Sequence, residues 1–203
     1  MAKPTFPFTL SGLLQAALET LRAPRPMAAV VIGAGIPSSV LWAAMLAVVA
    51  GSVVMGQGSL LLLAGPEALG NPFLANPMLM FGIQMGLLVI MVHAIFQIGR
   101  IFGGQGSLNG ALAVVTWLQF VLACLQVLQT ALLFLAPPLA DMLGILGLVL
   151  FIWLLTNFVA ALHGFKSLGA VFFMILASAF ALTFALSLLL TLFGVVAPGV
   201  PNV

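Results

Sequence analysis

The residues able to do chemistry are few, and most of them lie inside apolar runs. His93 and His163 come first, each a few residues before a cation, Arg100 and Lys166 respectively. Two imidazoles at similar depth could ligate haem or a metal ion. Nothing else supports a cofactor site, so hydrogen-bonded helix partners are the simpler reading and no cofactor or metal is expected. Gly82, Gly86, His93 and Gln97 are spaced to share one helix face, and glycines four apart let another helix approach closely. That stripe reads as a packing seam with polar glue, the alternative being a ligand or proton path. Gln119, Gln126 and Gln129 are expected to share a second face, extended by Asn109 and Thr116. Thr156 and His163, seven apart, coincide in projection, whereas Asn157 points about 100° away from Thr156. Ala177, Ala181 and Ala185 make a small-residue seam further on.

No catalytic set accompanies these groups. The sequence contains no zinc motif, nucleophile elbow or convincing Ser-His dyad, and a non-enzymatic role is expected. Cys124 is the single cysteine and sits in an apolar run, where a thiol behaves as a small inert hydrophobe. Gly103-Gly104-Gln105-Gly106-Ser107 follows an apolar helix rather than a strand and lacks the P-loop lysine, so it reads as a tight reversal. Trp42, Trp117 and Trp153 form no obvious interfacial belt and read as packing anchors. No Asp, Glu, Lys or Arg falls near the centre of an apolar run, which weakens any proton-driven transport scheme.

The elements that carry these residues follow from composition. Of 203 residues, 64% are hydrophobic and 4% charged, and the mean hydropathy is +1.36. Soluble domains are roughly a quarter charged, so eight charges cannot coat a globule of this size. Five cations are too few for a nucleic-acid footprint. The lipid bilayer is the solvent. A spanning helix needs about 20 apolar residues, and breaking the chain at its Pro/Gly clusters and charges leaves five such runs. They cover about residues 38–63, 77–99, 108–136, 141–164 and 169–196, ending at Gly65-Pro66-Glu67, Arg100, Pro137-Pro138, Lys166 and a tail at 197–203. The runs are continuously apolar, which indicates helices rather than barrel strands. The 27–36 stretch is too short to span, and Pro37 is taken to start the first span rather than kink a longer one.

Upstream, residues 8–22 read as an amphipathic helix. Leu10, Leu13, Leu14, Ala17, Leu18 and Leu21 recur at helical spacing, with Ser11, Gln15, Glu19 and Arg22 elsewhere on the wheel. Pro24-Arg25-Pro26 is expected to end it. The pattern suits a helix in the headgroup plane, and is compatible with packing on the membrane domain. The expected organisation is an all-α bundle of five membrane helices (27–196) behind a short cytoplasmic interfacial segment (1–26). Lys3, Arg22, Arg25, Arg100 and Lys166 all fall in segments on one side of such a chain, while Glu67 and Asp141 fall on the other. The positive-inside rule therefore predicts a cytoplasmic N-terminus and an opposite C-terminus; in a prokaryotic cell the membrane would be the inner one.

Several local segments carry a family likeness. They are the amphipathic start leading to Leu21-Arg22-Ala23-Pro24-Arg25, the turn Phe102-Gly103-Gly104-Gln105-Gly106-Ser107, Trp117 in the next helix, and Ile152-Trp153 through Leu162-His163-Gly164-Phe165. Over roughly residues 8–195 the chain resembles the Yip domain family, membrane proteins named for interacting with Ypt/Rab GTPases, and is closest to its short prokaryotic-type members. The resemblance implies five membrane helices with the N-terminus cytoplasmic and the C-terminus opposite. Eukaryotic members carry a long cytoplasmic N-terminal region and an Asp-Leu-Tyr-Gly-Pro element; this chain shows neither and has no tyrosine. Direct GTPase binding is accordingly not expected, and no functional residue transfers. The expected function is partner binding within the bilayer, with other membrane proteins or by self-association, as a membrane organiser or an accessory or assembly factor. The alternative is a small-solute transporter or channel using the polar faces of the second and third spans.

Overall fold

In a computed structural model, residues 9–64 and 76–192 are described. Glu67, Lys3 and the 197–203 tail fall outside them. Within the described residues seven helices follow in order: α1 (Leu10–Arg22), α2 (Pro24–Gly33), α3 (Ser38–Ala64), α4 (Pro77–Ile101), α5 (Leu108–Leu135), α6 (Pro137–His163) and α7 (Leu168–Leu192). Among the described residues every regular element is helical. The helices α3 to α7 are long and apolar enough to cross a membrane. They run to 25–28 residues, roughly 38–42 Å at 1.5 Å per residue, against a hydrocarbon layer of about 30 Å.

Local chemistry fixes where the helices begin. Thr9, Asn76 and Ser107 each accept a hydrogen bond from a first-turn N–H, at Gly12 (3.2 Å), Leu79 (3.0 Å) and Gly110 (3.0 Å). Prolines are treated differently from their reading in the sequence. Pro24 does not merely stop α1; it opens α2, which crosses the expected division at residue 26. Likewise Pro137 and Pro138 open α6, four residues ahead of the expected start at Asp141. A proline lacks only the N–H that the first helical turn leaves unpaired anyway, so it initiates as readily as it terminates.

The bundle is built around α5. Asn109 bonds to Ile36 O and Gln126 to Ser52 O, so α3 and α5 run parallel. Gln129 meets Ala140, and Gly110 sits against Leu162, so α5 and α6 form an antiparallel hairpin. Five helices (α1, α2, α3, α4 and α6) touch α5. Consequently every residue from Gly110 to Leu118 is buried, as is every residue from Leu154 to Ala160 on α6. Both stretches lie at the same end of the bundle, called here the near end, where α4 and α6 finish and α3, α5 and α7 start. Toward the far end the helices open and carry exposed Leu, Ile and Phe such as Leu128, Phe134 and Ile145. Beyond Ser178, α7 is exposed throughout its described side chains. An apolar surface of this extent is what lipid, rather than water, accommodates.

The first helix packs by an unexpected stripe. Ala16, Ala17 and Thr20 are buried and Leu13 half-buried, whereas Leu10, Leu14, Leu18 and Leu21 remain exposed, Leu18 at 63%. At 100° per residue these form two adjacent stripes, with Ser11, Gln15, Glu19 and Arg22 as a third. Small residues allow the close approach to the bundle, leaving the leucines for another apolar phase.

Candidate functional site

The densest set of polar interactions lies at the near end around His163. This residue ends α6, and Gly164 follows in the left-handed conformation (φ 74°), with Phe165 N–H returning to Ala160 O at 3.0 Å. That cap turns the imidazole inward, where it is 4% exposed. Its Nδ1 accepts from Gly106 N–H at 3.1 Å, so the proton resides on Nε2, which donates to Ile95 O at 3.0 Å. The ring is thereby fixed as one neutral tautomer, with both nitrogens committed to backbone.

Glycine makes this enclosure feasible. A Cβ added at Gly99, Gly104 or Gly106 would fall 2.1, 2.4 or 2.7 Å from an atom of the ring. Gly103 supplies the positive φ (83°) that reverses the chain after α4. Phe165 stacks on the imidazole at 5.5 Å between centroids, and Arg25 on α2 donates to the Phe165 carbonyl. A single histidine thus joins the end of α4, the α4–α5 turn and the end of α6, with α2 held one residue pair away. The turn had read as a plain reversal. Its true partner is legible only afterwards, in the coincidence of three glycines and one histidine that all demand tight packing.

A second junction holds α1. Trp117 Nε1–H donates to Thr20 Oγ1 at 3.0 Å, and the Thr20 hydroxyl donates in turn to Ala16 O at 2.8 Å. Trp117 also stacks on Phe120 at 5.3 Å. It is the packing anchor expected of it. Trp153 is not, since 42% of it is exposed on the outer side of α6.

The remaining polar positions separate into four groups. Gln126 and Gln129 do not act on a common partner: Gln126 donates to α3 at Ser52 O (2.9 Å) and Gln129 to α6 at Ala140 O (3.3 Å). Gln119 is half-buried above them. Thr156 and Asn157 bond back within α6, to Ile152 O and Trp153 O, both at 2.8 Å, and cross to no neighbour. Ser52 Oγ and Thr116 Oγ1 are buried with no partner. Finally, Gly82, Gly86, His93 and Gln97 form one exposed stripe on α4, of which His93 also borders the space beside the starts of α3 and α5. A Cβ at Gly82 or Gly86 would meet nothing within 4 Å, and His93 turns its Nδ1–H to Val89 O at 2.8 Å. The stripe therefore does not face Gln126 or Gln129. Ala177, Ala181 and Ala185 are also exposed.

Chemically this arrangement favours cohesion over turnover. The His163 nitrogens have no free lone pair or proton to offer, so the ring cannot join His93 as a ligand pair without leaving its backbone partners. Among the described residues no group of three His, Cys, Asp or Glu could hold a metal ion.

The junctions coincide with the segments that carry the family likeness: the Leu21–Arg25 link, the 102–107 turn, Trp117 and the 162–165 cap. The family model of the Yip1 domain matches residues 18–190, from within α1 to near the end of α7. Comparison with curated proteins and with solved structures returns no match. With most of its length matched, the chain belongs to the Yip1 domain family and is a multi-pass membrane protein, with five membrane-length apolar helices among its described residues.

Proposed function

We propose that this protein is non-enzymatic and works by binding partners inside the bilayer, as a membrane organiser or as an accessory or assembly factor. The observation that carries this reading is the outward stripe of α4. Two glycines one turn apart leave a shallow furrow open to a second helix. Polar groups continue along it at His93 and Gln97, where an approaching helix would exchange lipid contact for hydrogen bonds. Gly82 and Gly86 give no support to a solute path between the second and third spans, because the space beside each of them is open. We place the near end in the cytoplasm: Arg22, Arg25, Arg100 and Lys166 all belong to it, and Asp141 lies toward the start of α6 at the other end.

A photo-crosslinking residue in place of Gly86 tests the reading in native membranes, with one in place of Phe173 on α7 as the comparison. Discrete protein adducts are expected from position 86, and their loss when Gly82 is also made leucine. Recovery only as an uncrosslinked monomer at both positions would defeat it.

A further inference from the structure

Helix α1 carries three stripes along its whole length, and the bundle accounts for one of them. Leu13, Ala16, Ala17 and Thr20 pack on the bundle. Leu10, Leu14, Leu18 and Leu21 are exposed and lie about 100° round the helix from that stripe. Ser11, Gln15, Glu19 and Arg22 are also exposed, about 100° further on. Leu10 and Leu21 stand near opposite ends of the helix, as do Ser11 and Arg22, so the boundary between the two exposed stripes runs along the helix axis. A helix with only water on its free side gains nothing from four leucines left open. One that ran down into hydrocarbon would carry a costly polar stripe from end to end. Three stripes suit a helix that lies flat at a membrane boundary with the bundle on its flank.

Its depth follows from the bond that ties it to α5. Trp117, which donates to Thr20 Oγ1 at 3.0 Å, stands nine residues beyond Leu108, the first residue of α5. That is about 14 Å along the axis. With α5 centred in the bilayer, each end outruns the hydrocarbon by about 6 Å. Side chains on a helix lean toward its start, here the near end. Thr20 therefore lies just inside the hydrocarbon boundary, where acyl chains reach one side of α1 and headgroups another. Charge agrees with this placement. Among the described residues of the near end, Arg22, Arg25, Arg100 and Lys166 stand against one acid, Glu19. Arg25 meets the Phe165 carbonyl and Arg100 the Phe96 ring, contacts that leave both positive charges in place. A rim of this sign attracts an anionic lipid surface.

We propose that α1 is an anchor in one leaflet, and that the partner of its leucine stripe is the acyl-chain region of the near-side leaflet of an anionic phospholipid bilayer. The leucines enter the chains, the Ser11–Arg22 stripe stays among the headgroups, and the small residues keep the helix against the bundle. Lipid then holds α1 along the whole leucine stripe.

The test uses the full-length protein with Cys124→Ala, reconstituted in vesicles of phosphatidylcholine and phosphatidylglycerol. Nitroxide labels on Leu14→Cys or Leu18→Cys are expected to collide preferentially with oxygen, which concentrates in hydrocarbon. Labels on Ser11→Cys or Gln15→Cys should instead prefer a water-soluble nickel chelate. Nickel preference at 14 and 18 would mean that water covers the stripe, and shielding from both reagents that protein does; either overturns the proposal. Leu14→Asp combined with Leu18→Asp alters only exposed positions. It is nevertheless expected to speed amide exchange across Leu10–Arg22 at least about tenfold, because two leucines leave hydrocarbon, with α5 and α6 unchanged. Exchange at the parent rate also overturns the proposal. Arg22→Gln is expected to speed the same exchange about fivefold in the anionic vesicles, the effect of one cation at such a surface, and not in phosphatidylcholine alone. An equal effect in both removes the anionic lipid as the partner. None of these outcomes depends on a protein partner at Gly82 and Gly86, or on which compartment the near end faces.

Discussion

His163 works by being hemmed in, and that makes substitutions around it informative. Replacing it with leucine leaves the Gly106 N–H buried without its partner, a loss of about 1–3 kcal/mol, and takes from the Ile95 carbonyl the second bond it holds beyond its helical one. His163→Leu should therefore lower the melting temperature in detergent markedly, and a shift within error would refute the assignment. From the other side of the contact, Gly99→Ala puts a methyl 2.1 Å from Nε2. The ring cannot yield without dropping Ile95 O, so a cost of about 1–3 kcal/mol is expected from overpacking. Gly86→Ala, whose new methyl meets nothing, should change stability by less than about 0.5 kcal/mol in the same assay. The histidine was legible as a helix partner, and the glycine turn as a reversal. That they are halves of one contact was not, because 57 residues separate them and a wheel projection compares positions only within one helix.

Among elements, α1 and α7 are the two that the bundle holds least, and for different reasons. The hold on α1 concentrates in the Trp117–Thr20 bond and a stripe of small side chains. Trp117→Phe keeps the aromatic volume near Phe120 but removes the donor. We expect faster amide exchange across Leu10–Arg22, by about three- to tenfold for a bond of about 0.5–1.5 kcal/mol, with α5 and α6 unchanged. Exchange that rises equally in α5 would show that the bond supports the whole bundle instead. For α7, the exposed far half predicts tolerance. Phe180→Ala and Phe184→Ala should each shift stability by less than about 0.5 kcal/mol, while Phe158→Ala, fully buried on α6, should cost about 3 kcal/mol or more through lost packing. A comparable loss at Phe180 in lipid would mean that a partner covers this face. The amphipathic pattern of α1 was visible as spacing. Which of its apolar residues pack on the bundle was not, because apolar periodicity ranks leucine above alanine, whereas close helix approach ranks them the other way.

At the scale of the molecule, the near end is a packed knot and the far end an open fan. Most cross-helix hydrogen bonds, the glycine contacts of His163 and both aromatic junctions lie in the half where α4 and α6 finish, while Gln126 and Gln129 tie α5 to α3 and α6 farther along. Cohesion therefore depends chiefly on the near half, and the exposed side chains of the far halves are left to meet lipid or other helices. With five spans, reporters fused to the two chain ends should register opposite compartments, the N-terminal one cytoplasmic. Two reporters in one compartment would contradict both the number of crossings and the orientation proposed above.

The sequence alone determined the number of membrane helices, their approximate limits and the identity of the polar residues they carry. Those properties depend on local quantities: apolar run length against bilayer thickness, and the cost of leaving a charge in hydrocarbon. Tertiary structure decided the rest. It paired His163 with Gly106, sent Gln126 to α3 and Gln129 to α6, left the Gly82–Gln97 stripe exposed and made Pro24 and Pro137 starts as well as stops. Each of these depends on how far a helix is rotated about its own axis relative to its neighbours. In an almost uniformly apolar chain, no gradient of hydrophobicity fixes that rotation; the shapes of the meeting side chains do.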